Sequence, residues 1–114
     1  MNGGIEWIVD AFGCAPERLR ALVEIEALLR AAVDAIGLTV VSTASHVFPE
    51  PGGVTAMFLL SESHLTIHTF PESGIATINL YCCRPRADFD WATLCRRLLA
   101  ASEVTVRRLP RGGV

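Results

Sequence analysis

Ile5 to Phe12 is an apolar run broken only by Glu6 and Asp10, a strand-like stretch that Gly13-Cys14 closes. The period then lengthens. Pro16 suits the first turn of a helix, and Leu22, Ile25, Leu29, Ala32, Val33 and Ile36 recur at intervals of three and four. That spacing predicts a single helix from Pro16 to about Ile36, ended by Gly37. Leu38 to Phe48 is rich in β-branched residues and reads as a strand, and Pro49-Glu50-Pro51-Gly52-Gly53 as a loop. Val54 to Glu62, His64 to Phe70 and Ile75 to Cys83 read as three more strands, the last two joined by Pro71-Glu72-Ser73-Gly74. A second helix begins at Asp88 or Asp90, either of which can cap it, and aligns Trp91, Leu94, Cys95, Leu98 and Leu99; Val104 to Leu109 forms a final strand. The order β-α-β-β-β-α-β predicts an α/β (α+β) fold, a two-layer sandwich with a largely antiparallel sheet covered by two helices.

Strand parity sorts the side chains of that sheet. In the strand that ends at position 83, Ala76, Ile78, Leu80 and Cys82 share one face, and Thr77, Asn79, Tyr81 and Cys83 the other. Cys82 is expected in the core and Cys83 in a site.

A length of 114 residues fits one domain, with no linker or repeat to divide it. So short a chain has little surface with which to enclose a deep pocket, and an oligomer is expected. Hydrophobic residues make up 51% of the chain, yet uninterrupted apolar runs such as Ala56 to Leu60 fall far short of the roughly 18 residues a membrane helix needs. Glu6 and Asp10 interrupt the first apolar stretch and no basic flank precedes it, so it does not read as a signal peptide and a cytoplasmic location is expected. A net charge of −2 gives no general attraction to nucleic acid, and Arg107, Arg108 and Arg111 read as a solvated tail. Cys14, Cys82, Cys83 and Cys95 have no Cys-x-x-Cys spacing, which suggests neither a zinc site nor a disulfide framework.

The chemistry is concentrated in Ser61-Glu62-Ser63-His64-Leu65-Thr66-Ile67-His68-Thr69-Phe70-Pro71-Glu72. His64 and His68 would meet on a helix, but in a strand they lie about 13 Å apart, so no metal site is expected. His46 is isolated and reads as a hydrogen-bonded polar residue. Ser63 lacks a Gly-x-Ser-x-Gly elbow, which fits a hydrolase triad poorly. Ser63 and His68 would face opposite sides of a regular strand, so a turn or bulge is expected between them, with a strained kink near Glu62-Ser63.

Pro51-Gly-Gly-Val-Thr-Ala56, Ser61-Glu-Ser-His64, Ile67-His-Thr69, Pro71-Glu72 and Cys83 resemble the proenzyme of the prokaryotic S-adenosylmethionine decarboxylase family, the small pyruvoyl-dependent type. The resemblance runs from Gly13-Cys14 to Cys83 and more weakly to the end. It implies a chain that cuts itself between Glu62 and Ser63 into residues 1–62 and 63–114. Ser63 Oγ would attack the preceding carbonyl, His68 would assist elimination, and Thr55 would support processing. The cofactor implied is a pyruvoyl group derived from Ser63, with Cys83, a thiol of reference pKa about 8.5, returning a proton to the decarboxylated carbon.

Phe48 and Phe70 as aromatic plates and Glu72 as a carboxylate are the implied substrate contacts for S-adenosylmethionine. Departures fall around them: Phe70 replaces a tryptophan, Asn79 an acidic residue and Arg84 a glycine, and Glu6-Trp7 stand where a histidine and an aliphatic residue are common. The alternative substrates in this family are arginine and ornithine, for whose distal cation Glu6 is a candidate carboxylate. A third reading is an unprocessed homologue that regulates a true decarboxylase. The family's protomers pair with active sites at the interface, which implies a homodimer of cleaved protomers.

Overall fold

The computed structural model describes residues 3–112. Strand β1 (Gly4–Phe12) leads into a one-turn helix, α1 (Pro16–Leu19), and a long one, α2 (Leu22–Ile36). Strands β2 (Val40–Val47), β3 (Val54–Leu60), β4 (Ser63–Phe70) and β5 (Ile75–Cys82) follow, then helix α3 (Trp91–Leu99) and strand β6 (Glu103–Arg111). All six strands form one sheet in the order β2-β3-β4-β5-β1-β6, and every neighbouring pair is antiparallel. The expected sandwich is therefore present, with three helices in place of two.

The extra helix comes from a break at Arg20-Ala21, where Ala21 turns extended. The carbonyl of Leu19 accepts a hydrogen bond from Thr69 Oγ1 at 2.7 Å, and the same hydroxyl accepts from Val54 N–H at 2.8 Å. A buried side chain from β4 thus holds the last residue of α1, and Arg20 Nε reaches across to the Pro51 carbonyl at 2.9 Å. These contacts fix the end of α1 against the sheet and the loop, and α2 starts afresh from Ala21. Gly37 caps α2 in the left-handed conformation at φ 82°, donating to the Val33 carbonyl. Asp90 caps α3 by accepting from Thr93 N–H at 3.1 Å.

Alternate residues of the central strands face the helices. Trp7, Val9, Phe58, Leu65, Ile67, Ile78, Leu80 and Cys82 are buried there with Ile25, Leu28, Leu29, Leu94 and Leu99 of the helices in one apolar cluster. The other face has no helix on it among the described residues. Met57 and Leu59 lie on it about half exposed, beside the polar His64, Thr66, Asn79 and Glu6. A sheet with only one covered face normally carries a polar outer face; here apolar side chains remain on it.

Arg107, Arg108 and Arg111 are not a solvated tail, because β6 runs on to Arg111 along β1. Arg108 stacks over the Trp7 ring at 5.6 Å and pairs with Asp88, and Arg111 pairs with Glu6.

Candidate active site

Leu60 and Ser63 pair directly across a tight turn at Ser61-Glu62 that joins β3 to β4. Ser63 also pairs with Cys82 at the end of β5, so Cys83 emerges beside Glu62. There the Cys83 backbone N–H donates to the Glu62 carbonyl at 3.1 Å. The amide that a Ser63 attack would use therefore has a donor on its oxygen already. Cys83 is exposed, whereas its neighbour Cys82 is buried, as strand parity required. Burial pushes the Cys82 thiol above its ordinary pKa, with Arg86 acting weakly in the opposite sense.

No bulge lies between Ser63 and His68. Their strand keeps an unbroken register with β5 from Ser63 to Phe70, and neither Glu62 nor Ser63 takes a positive φ. The expected irregularity is confined to the turn before Ser63, because pairing on both sides of β4 holds it straight. Ser63 thus shares the helix-covered face with Leu65 and Ile67, while His68 stands on the open face. Five residue steps of extended chain put the two about 16 Å apart.

His68 belongs to a different group of residues. It pairs across the ladder with Thr55, and Thr55 Oγ1 lies 2.9 Å from His68 Nδ1. Both line an open cleft of about 430 Å³ with Phe48, Phe70, Glu72 and the loop 49–53. Phe48 and Phe70 are 48% and 42% exposed, so neither is a core residue and both rings are free to meet a ligand. Ser63 and Cys83 do not line this cleft. His46, expected as a hydrogen-bonded polar residue, packs edge-on against Phe48 with ring centroids 4.5 Å apart.

A third group bridges the open face. His64 Nε2 lies 3.2 Å from Asn79 Oδ1, Asn79 Nδ2 donates to Glu6 Oε2 at 2.6 Å, and Arg111 donates to Glu6 Oε1. The Asn79 hydrogen bond, followed by Arg111 and His64, holds the Glu6 carboxyl below its ordinary pKa against the opposing effect of burial. Both Glu6 oxygens already have a partner within the chain. The His64 ring also stacks on Tyr81 at 5.9 Å. Sequence reading noted Glu6, Asn79 and His64 separately; Arg111, at the far end of the chain, is the member it missed.

The S-adenosylmethionine decarboxylase family profile matches residues 5–112. S-adenosylmethionine decarboxylase proenzyme 2 of Halalkalibacterium halodurans is 39% identical over 106 residues, which are 92% of this chain and 83% of that one. The proenzyme of Shouchella clausii is 40% identical over 92% of this chain and 81% of its own. The crystal structure of the adenosylmethionine decarboxylase from Aquifex aeolicus superposes with a TM-score of 0.80 at 28% identity, covering 99% of this chain and 93% of that one. Sequence and fold agree from β1 to β6: this chain belongs to the S-adenosylmethionine decarboxylase family.

Proposed function

We propose that the chain is a proenzyme that cuts itself at Glu62-Ser63 and then decarboxylates S-adenosylmethionine, supplying the aminopropyl donor for polyamine synthesis in the cytoplasm. The observation that carries this reading is the hold on the Glu62 carbonyl. Its oxygen accepts the Cys83 N–H at the turn just before Ser63, which polarises the carbonyl and favours the oxyanion formed on attack. Ser63 Oγ loses its proton and bonds to the Glu62 carbonyl carbon; the C–N bond breaks, and the nitrogen of residue 63 takes up a proton, leaving an ester. Removal of the Cα proton of residue 63 then expels the Glu62 carboxylate from Cβ. The enamine left behind takes up water and releases ammonia, leaving a ketone at the new terminus of residues 63–114.

The residues at this end fit such a group. Residue 63 starts a strand held on both sides, and the exposed Cys83 thiol is next to its neighbour in the ladder. A pyruvoyl group supplies a ketone that condenses with the substrate's amine and takes up the electron pair released with carbon dioxide. Cys83 would return a proton to the substrate carbon. Thr55, bonded to His68, orients that imidazole as the base for elimination.

A homodimer would shorten the separation along the strand between the Ser63 end of one protomer and the His68 of its partner. A two-fold axis lying across the strands, above the middle of β4, turns the Ser63 end of one protomer over the His68 end of its partner. Two open faces stacked about 10 Å apart would then bury Met57 and Leu59 and close the cleft. In that assembly Phe48 and Phe70 sandwich the adenine, and Glu72 binds the ribose or the sulfonium. Glu6, already bonded to Asn79 and Arg111, would have to exchange a partner to take the distal cation of arginine or ornithine.

The test is the mass of freshly purified protein. Two fragments are expected, 1–62 and 63–114, the second reactive with hydrazine, and a Ser63→Ala chain should stay whole. Labelled carbon dioxide should come from S-adenosylmethionine and from neither arginine nor ornithine. An undivided wild-type chain would favour a regulatory homologue and overturn the proposal. Cys83→Ala should still divide yet turn over slowly, with protonation of the product misdirected.

A further inference from the structure

Cys83 and Arg84 hold the same residue. The first binds the Glu62 carbonyl through its backbone N–H, and Arg84 Nε lies 2.6 Å from Glu62 Oε2. Glu62 is the residue on the acyl side of the bond that the proposed self-cleavage breaks. Its backbone lies in a two-residue turn, where the peptide plane can rotate more than within a ladder. A contact at the side chain as well as at the carbonyl oxygen restricts that rotation.

We infer that Arg84 is a positioning residue for chain cleavage, fixing the Glu62 peptide through its side chain. This inference rests on the self-cleaving reading. Both side chains are largely exposed, 60% for Arg84 and 38% for Glu62, so the pair is screened by salt and its effect is modest. It falls on a rate, where a small loss of orientation shows directly.

The experiment follows the division of newly made chain over time by mass spectrometry, at low and high salt. Arg84→Gly should slow the cut about two- to fivefold at low salt, and Arg84→Lys should restore part of the rate. Arg84→Glu and Glu62→Lys should each slow it, and the charge-swapped double variant should recover. High salt should slow the wild type and leave Arg84→Gly unchanged. Melting temperatures taken in a Ser63→Ala background should be alike for all variants, which separates positioning from folding. If the wild type divides and Arg84→Gly divides just as fast, the role of Arg84 is overturned while the cleavage stands. A wild type that never divides overturns both.

Discussion

The two ends of β4 belong to one regular strand and are built for different work. At the Ser63 end, a turn, a backbone N–H and an ion pair surround a peptide bond. At the His68 end, a hydroxyl-imidazole pair and two exposed aromatic rings border a cleft of about 430 Å³. In the proposed function the first end would generate the reactive group, and the second would hold the substrate and move a proton. They also lie on opposite faces, because they are an odd number of positions apart in the strand. A straight strand cannot fold these ends together, which is why the proposed function assembles the site from two chains.

The strongest way to break the comparison is complementation. Ser63→Ala and His68→Ala chains expressed alone should both stay undivided. Expressed together, the His68→Ala chain should be cut wherever it pairs with a Ser63→Ala partner, in about half of the copies under random pairing. Mass spectrometry reads this directly, and a failure to cut in the mixture would place both residues in one protomer's site.

Neighbouring residues of β3 sharpen the contrast between the faces. Phe58→Ala removes a ring from the buried cluster and should cost about 3–5 kcal/mol in a denaturant melt of undivided Ser63→Ala chain. Leu59→Ser, one residue on, should leave the protomer's own stability within about 0.5 kcal/mol while weakening self-association in sedimentation. Thiol labelling of the native protein should likewise separate Cys83, which is exposed, from Cys14, Cys82 and Cys95. Burial raises all three buried thiols, Cys95 to about 12, so alkylation should add one label per chain before unfolding and four after.

The smallest effect belongs to the open-face network. The folded pKa of Glu6 lies below its unfolded value near 4.5, so its contribution is complete above that value and is lost as pH falls through the lowered one. Glu6→Gln in undivided chain should cost about 0.5–1 kcal/mol at pH 7, and the cost should shrink as the pH is taken down below 4.5.

Much of this was legible in the sequence, for reasons specific to each element. The stripe from Leu22 to Ile36 and the alternation from Ala76 to Cys83 are local periodicities, and both elements formed where those patterns lay. The break at Arg20-Ala21 was not legible, because it depends on a hydroxyl 50 residues away from the carbonyl it holds. Arg111 looked like a tail for the same reason, its partner Glu6 lying 105 positions earlier. The motif residues could be named from the chain, and parity already set Ser63 against His68. The expected bulge was a way to reunite them within one chain; pairing on both edges of β4 leaves no room for it.

The strand order has a mechanical result for a cut molecule. Residues 1–62 supply β1, β2 and β3, residues 63–114 supply β4, β5 and β6, and β1 is threaded between β5 and β6. The two pieces interlock along three seams, β3 with β4, β5 with β1 and β1 with β6. Once severed, they would stay clasped without any covalent tie, and parting them means dismantling the whole sheet. Reassembly after denaturation would then be a second-order event, slower at higher dilution, in a protein whose uncut form refolds at a rate independent of concentration.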